Sequence, residues 1–144
     1  IHLLILGSGP EEEKVREATK AQPNIHLMGY VPKERTISLI RGSDVLVQPS
    51  LVEGISSTIL EAMACNVPII ATNVGGNKEL LTNDKNGILL EPNSPQKLLE
   101  ETVALVDDKK RSERLYTEAF SHVQKYDWSH VGKLYLDIYE SLLV

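Results

Sequence analysis

The chain has 144 residues, enough for one compact domain with a proper core and too few for two. Hydrophobic residues make up 42% and charged residues 24%, the balance of an ordinary globular domain. The 15 basic and 20 acidic side chains give a formal net charge of −5, and no basic run is longer than Lys109–Arg111. We therefore expect no nucleic acid partner.

Side chains that bind metals or form disulfides are few. Cys65 is the only cysteine, so the sequence predicts no internal disulfide and no cysteine-based zinc site. The 4 histidines lack the spacing of metal ligands. No apolar run approaches the roughly 20 residues that span a bilayer. We expect no metal, no cofactor and a cytoplasmic protein, in which any peripheral membrane contact is made by residues outside this chain.

Short apolar runs alternate with helical patterns over most of the chain. The predicted strands are His2–Leu6, Ile25–Met28, Asp44–Gln48, Pro68–Ala71 and Gly87–Leu90, and the predicted helices are Glu11–Ala21, Lys33–Arg41, Ser57–Cys65, Asn77–Leu81 and Pro95–Val106. This alternation predicts βαβ units, and therefore a doubly wound, Rossmann-like α/β domain with a mainly parallel sheet. Residues 1–6 already have the pattern of a complete apolar strand, so we expect residues 1–144 to be part of a longer protein.

Residues 109–143 contain no strand pattern and predict two amphipathic helices, separated near Tyr126–Trp128. Asp127 or Ser129 is suited to cap the last helix. Its apolar stripe consists of Val131, Leu134, Tyr135, Ile138 and Leu142. We expect this stripe to pack on the sheet domain, with docking on a further domain as the alternative.

Two glycine-containing segments follow predicted strands. After the first strand, Gly7-Ser8-Gly9-Pro10 begins like a dinucleotide-binding fingerprint, but Glu12 replaces the third small residue, and the second strand ends without an acidic residue. A nicotinamide or flavin site is therefore not predicted. Gly75-Gly76 fits a tight loop near a phosphate or sugar, or equally a plain turn.

The helix after the third strand carries one isolated charge. Its apolar face at helical spacing is predicted to be Leu60, Met63, Ala64 and Val67. Glu61 is the only charged residue between Gly54 and Asn77. An ionised carboxylate on so apolar a helix requires partners.

The amino end of the same helix is a candidate binding site. Ser57 lies four residues before Glu61, so both side chains share one face and lean toward the helix N-terminus. The N–H groups near Ser56, Ser57 and Thr58 suit a phosphate, and Glu53 precedes them in the loop. Two carboxylates around these amides suit a ligand with phosphate and hydroxyl groups. The alternative is that Glu61 forms a structural ion pair and Glu53 merely caps the helix.

These motifs together resemble a known family. Glu53 and Glu61 with seven residues between them, followed by Ala-Met-Ala-Cys, Val-Pro, Ala-Thr and Val-Gly-Gly, resemble the carboxy-terminal domain of retaining glycosyltransferases of family four. Those enzymes have the two-Rossmann-domain architecture called GT-B. The resemblance runs from Gly7-Ser8-Gly9-Pro10 to the helix that contains Trp128, nearly the whole chain.

The resemblance implies a role for each matching position. Glu53 would be the catalytic-site carboxylate that contacts hydroxyls of the donor sugar, and Glu61 would bind the ribose hydroxyls of the nucleotide. The remaining donor-binding positions are implied to be Gly54, Ile55, Ser56, Ser57 and Thr58 at the sugar and diphosphate, with Tyr30 and Val31 beside the nucleobase. The family usually has Gly-Phe-Gly where this chain has Gly54-Ile55-Ser56, a departure that bears on donor preference and affinity.

The function implied by the resemblance is that of the donor-binding half of a GT-B enzyme. Such an enzyme transfers a sugar from a nucleoside diphosphate sugar to a glycan, lipid or small-molecule acceptor with retention of configuration. The first strand of the family's complete domain and the amino-terminal acceptor domain are expected outside this chain, so residues 1–144 alone are expected to be inactive. The alternatives are a catalytically inactive nucleotide-sugar-binding or interaction module and a GT-B-type sugar-nucleotide epimerase.

Overall fold

The computed structural model describes residues 1–143 and divides the chain into two compact units, Ile1–Leu39 and the part from Ile40 onward. The elements in chain order are β1 (Leu3–Leu6), α1 (Glu12–Thr19), β2 (Ile25–Gly29), α2 (Lys33–Arg41), β3 (Leu46–Gln48), α3 (Ser57–Ala64), β4 (Ile69–Thr72), α4 (Asn77–Leu80), β5 (Ile88–Leu90), α5 (Pro95–Asp107), α6 (Lys109–Val123), a 3₁₀ turn (Gln124–Tyr126) and α7 (Trp128–Leu142). Every predicted helix and strand is present.

The first unit contains one parallel strand pair. β1 and β2 pair with Leu3 opposite Ile25 and Ile5 opposite Leu27, and α1 connects them. Glu12 and Glu13 lie in the first turn of α1, where acidic side chains complement the helix dipole, and no residue of α1 is buried.

The second unit is a three-stranded parallel sheet with β4 between β3 and β5. Every residue of β4 is buried. Because successive strand residues point to opposite faces, Ile69 packs in a core with Ile59 and Met63 of α3, while Ile70 packs in a second core with Leu105 of α5. Helices thus cover both faces of this sheet, and the doubly wound α/β prediction is confirmed.

The last helix departs from the expectation that it packs on the sheet. Asp127 caps α7 by accepting a hydrogen bond from the Ser129 N–H, as predicted. However, no residue of α7 is buried; Val131 is partly covered, but Leu134, Tyr135, Ile138 and Leu142 are exposed by half or more. Periodicity shows that a helix has an apolar face but not which surface covers that face. The predicted packing is therefore wrong for the part of the chain that the structure describes.

Candidate functional site

The carboxylate of Glu53 is held at the carboxyl end of β3. The side-chain amide of Gln48 donates to Oε1 at 2.8 Å, and the hydroxyl of Ser50 donates to the same oxygen at 2.7 Å. Among residues 1–143 no group donates to the other oxygen, Oε2. Ligands of parallel sheets bind outside this edge. One oxygen of the Glu53 carboxylate is therefore held in place, and the other has no hydrogen-bond donor among the described residues.

Strand β4 fixes the loop that carries Glu53. The hydroxyl of Thr72, the last residue of β4, donates to the backbone carbonyl of Ser50 at 2.5 Å. Thr72 is buried. The position of Ser50, and through it that of Glu53, thus depends on the neighbouring strand.

The Gly75-Gly76 pair lets two loops touch. Gly75 has φ +45°, and a Cβ there would lie 1.8 Å from the carbonyl oxygen of Glu53. A Cβ on Gly76 would lie 2.3 Å from the carbonyl oxygen of Gly54. Both distances are far below van der Waals contact, so only glycine permits this approach. The paired glycines, which were only a weak indication in the sequence, therefore allow the backbone contact that supports the Glu53 loop.

The first turn of α3 follows that loop directly. Ser56 is buried and caps the helix, its hydroxyl accepting from the Ile59 N–H at 3.4 Å. Its φ of −76° and ψ of 112° are open to any residue, so this position does not require the glycine of the resembled family. The N–H groups of Ser57 and Thr58 lie in the first helical turn, where no preceding helical carbonyl accepts them. These donors and the helix dipole favour an anion at this end.

Glu61 lies on α3 and is half-buried. It is one helical turn from the exposed Ser57, so the two positions share a face. Of the predicted apolar face, Met63 and Val67 are buried and Leu60 packs against the same core, but Ala64 is exposed; Ile59 and Ala62 are buried as well. Almost every residue of α3 is apolar or small, so periodicity alone did not select the buried face.

The remaining donor-binding candidates divide between the two units. Gly54 and Ile55 are exposed in the loop before α3, in the second unit. Tyr30 and Val31 follow β2 in the first unit, where Tyr30 is 81% exposed and the Val31 carbonyl accepts from the Thr36 hydroxyl at 3.3 Å. Glu53, Glu61 and the α3 N-terminus therefore belong to the second unit, whereas Tyr30 and Val31 belong to the first.

A cavity that the sequence did not indicate opens at the same sheet edge. It has a volume of about 410 Å³, and three separate segments contribute its walls: Gln48, Pro49, Leu51, Ile70, Ala71, Thr72, Leu90, Glu91, Asn93, Ser94, Pro95 and Leu98. Gln48, which holds Glu53, and Thr72, which holds Ser50, both line it. Only the rule that ligands bind at the carboxyl ends of parallel strands pointed toward this place.

Residues 1–143 contain neither a cluster of metal ligands nor a membrane-spanning helix. No group of three or more His, Cys, Asp and Glu side chains there is arranged to hold a metal ion. No helix in the same stretch has both the length and the apolar character needed to cross a bilayer.

A parallel sheet with helices on both faces defines a Rossmann-like domain. The family described as "Glycosyl transferases group 1" matches this chain over residues 1–122, and the chain belongs to that family. Its solved relatives have the GT-B architecture, and the chain corresponds to a carboxy-terminal-type domain of such enzymes.

Particular relatives support this assignment. The chain is 29% identical over 147 residues to the GPI3 subunit of phosphatidylinositol N-acetylglucosaminyltransferase from Saccharomyces cerevisiae, covering 99% of the chain and 32% of that protein. It is 31% identical over 148 residues to a GDP-mannose-dependent monoacylated alpha-(1-6)-phosphatidylinositol monomannoside mannosyltransferase from Corynebacterium glutamicum, covering 96% of the chain and 39% of the relative. The chain thus spans 32% and 39% of the length of these relatives.

Solved structures share the fold. HepE from Anabaena, in complex with UDP-glucose, aligns with a TM-score of 0.84 at 21% identity, covering 97% of this chain and 41% of HepE. The C-terminal domain of the group 1 glycosyl transferase LpcC from Francisella tularensis aligns with a TM-score of 0.68 at 29% identity, covering 80% of this chain and 60% of that one.

Proposed function

We propose that this chain is the nucleotide-sugar-binding domain of a retaining glycosyltransferase, which transfers a sugar from a nucleoside diphosphate sugar to an acceptor. The observation that carries the proposal is the Glu53 carboxylate, whose Oε1 is held by two donors and whose Oε2 faces no protein donor among residues 1–143. A fixed anion at the carboxyl end of a strand, just before a helix N-terminus, suits a ligand that carries hydroxyls and phosphate.

Each part of the site has a role in this proposal. Glu53 accepts a hydrogen bond from a hydroxyl of the donor sugar. The diphosphate lies at the first turn of α3, against Gly54, Ile55, Ser56, Ser57 and Thr58. Glu61 accepts from the ribose hydroxyls, and the backbone of Tyr30 and Val31 lies beside the base. Hydrogen bonds to charged groups are each worth about 1.5–3 kcal/mol, so two carboxylates contribute much of the donor affinity.

The relatives differ in donor, and this limits the proposal to a substrate class. HepE was solved with UDP-glucose, while the name of the Corynebacterium glutamicum enzyme specifies GDP-mannose. Both donors contain a hexose, a diphosphate and a ribose, and the roles proposed for Glu53, Glu61 and the α3 N-terminus concern these common parts. The acceptor is expected to contact the part of the protein outside this chain, so we assign none.

A donor screen by calorimetry on the full-length protein tests the proposal, followed by product analysis. We expect Glu61→Ala to weaken nucleotide binding about 10- to 100-fold, and Glu53→Ala to lower kcat with little change in nucleotide affinity. Glu113→Ala, at an exposed position on α6, is the matched control. Near-wild-type kinetics for both site variants would contradict the assignment.

Product analysis separates the alternatives. Transfer of the sugar to an acceptor supports the proposal. Binding of a nucleotide sugar with neither transfer nor hydrolysis would instead identify an inactive binding module. Conversion of the donor into its epimer would identify an epimerase.

A further inference from the structure

We propose that Gln48 and Ser50 are positioning residues, which act on the donor sugar through Glu53. This inference rests on the role proposed above for Glu53. The two side chains have different chemistry, one an amide and the other a hydroxyl, yet both donate to the same carboxylate oxygen, at 2.8 and 2.7 Å.

The hydrogen atoms of these side chains can be assigned without conflict. The Gln48 amide nitrogen has two N–H groups, of which one is directed to Glu53 and the other to the Ser50 hydroxyl oxygen, at 3.1 Å. The Ser50 hydroxyl has one hydrogen, which goes to Glu53. The three side chains thus form a closed triangle in which each hydrogen is used once. A rotated Gln48 amide would set its oxygen against the carboxylate, so the triangle permits only one amide orientation.

The triangle is fixed from outside the loop as well. Gln48 is the last residue of β3, and the Ser50 carbonyl is held by the buried Thr72 at the end of β4. The carboxylate therefore has one orientation relative to the sheet, with Oε2 as its only oxygen free of protein donors in the described part of the chain. Orientation of this kind affects turnover, because a displacement of about 1 Å at a reacting centre lowers rates about 100-fold.

The test uses the full-length protein with the donor that the screen identifies. Gln48→Met and Ser50→Ala each remove one donor with little change in volume, and Ser50→Thr keeps the hydroxyl. We expect kcat to fall about tenfold or more in the first two variants and to recover in Ser50→Thr. The dissociation constant of the nucleoside diphosphate, measured by calorimetry, is expected to remain that of the wild type. Gln124→Met and Ser141→Ala, at exposed positions, are the matched controls.

A double-mutant cycle separates positioning from a merely structural role. In a Glu53→Ala background, neither Gln48→Met nor Ser50→Ala is expected to lower kcat further, because no carboxylate is left to position. The inference would be overturned if the fold-losses in kcat of the single variants multiplied in the double variants. It would also be overturned if both single variants kept the wild-type kcat. Wild-type kcat in Glu53→Ala would instead refute the proposed role of Glu53. Should Ser50→Ala fail to fold, the Gln48→Met series decides the question.

Discussion

The backbone N–H of Gly76 donates a hydrogen bond of 3.1 Å to the carbonyl oxygen of Gly54. This bond joins the loop after β4 to the loop after β3, in which Glu53 lies. Gly75 also lies close to the Glu53 carbonyl. The backbone of the loop that carries Glu53 is therefore supported by direct contact with the backbone of the loop after β4. Such support is sensitive to the addition of a single methyl group.

Gly76→Ala is expected to destabilise the protein and to weaken donor binding, because the new Cβ would lie 2.3 Å from the Gly54 oxygen. A backbone oxygen moves away only if the loop moves, so we expect a loss of about 1–3 kcal/mol of unfolding free energy. Urea unfolding followed by circular dichroism measures the loss. Gly132→Ala is the control, since it adds a Cβ in open space within α7 and should be neutral or slightly stabilising. Equal effects of the two substitutions would contradict the clash.

Ser56→Ala is expected to lower the unfolding free energy by about 1 kcal/mol, because the Ile59 N–H loses its capping partner. Ser56→Gly, which restores the residue usual in the resembled family, should cost only a few tenths of a kcal/mol and should retain donor binding. Thermal unfolding and calorimetry compare the two variants. Ser38→Ala, at an exposed position on α2, controls for loss of a hydroxyl. A Ser56→Gly variant with much tighter donor binding would mean that Ser56 does impair the site.

His122 should make the stability depend on pH. Burial, with smaller contributions from Lys125 and Lys85, lowers the pKa of His122 below its ordinary 6.5. The unfolded chain therefore takes up this proton at higher pH than the folded chain, and stability is lost as the pH falls through 6.5 toward the lowered value. In His122→Leu this part of the loss should disappear. Urea unfolding at pH 7.5 and 5.0 tests this, with His130→Gln as an exposed control; identical pH dependence in wild type and His122→Leu would contradict it.

Arg111 should stabilise the fold chiefly above the pKa of Asp84. Its guanidinium forms ion pairs of 2.9 Å with both Asp84 and Glu101. The hydrogen bond from Arg111 lowers the pKa of Asp84 below its ordinary 3.8, so the stabilisation is complete above 3.8 and is lost as the pH falls through the lowered value. Asp84 is about half exposed, and we expect Arg111→Met to cost only about 1 kcal/mol at pH 7.

The matched control for Arg111 is Lys109→Met. Lys109 pairs with Asp44 at 3.1 Å, but both side chains are about 70% exposed, so its removal should have almost no effect. Unfolding free energies measured from pH 7 down to pH 2 should differ between wild type and Arg111→Met by a constant amount above pH 3.8, and the difference should shrink as the pH falls below 3.8. A difference that stays constant over this range would show that the ion pair to Asp84 contributes nothing.

The order of helices and strands followed from local patterns in the sequence. The adjacent Ile69 and Ile70 predicted a strand buried on both faces, and they do pack in two different cores. Parallel pairing followed from the alternation of strands with helices. These features depend on residues close together in the chain, which is why the sequence was sufficient to predict them.

The features that were missed depend on which segments meet. The exposure of α7 depends on what lies opposite its apolar face, and the cavity wall combines Leu51, Ile70 and Leu90 from three segments. The sequence identified Glu53 but not its partners, since Gln48 and Ser50 resemble any polar residues at the end of a strand. Only their hydrogen bonds distinguish them.

The contact between Gly75 and Glu53 has a practical consequence for anyone who wishes to change the donor preference of such a domain. Residues 49–56 cannot be exchanged alone, because the backbone of Glu53 and Gly54 is in close contact with Gly75 and Gly76, which lie 22 residues further along the chain. If the loop is grafted next to residues larger than Gly75 and Gly76, the clash would displace its backbone, and the introduced side chains would not reach their intended positions. The two loops need to be transplanted together.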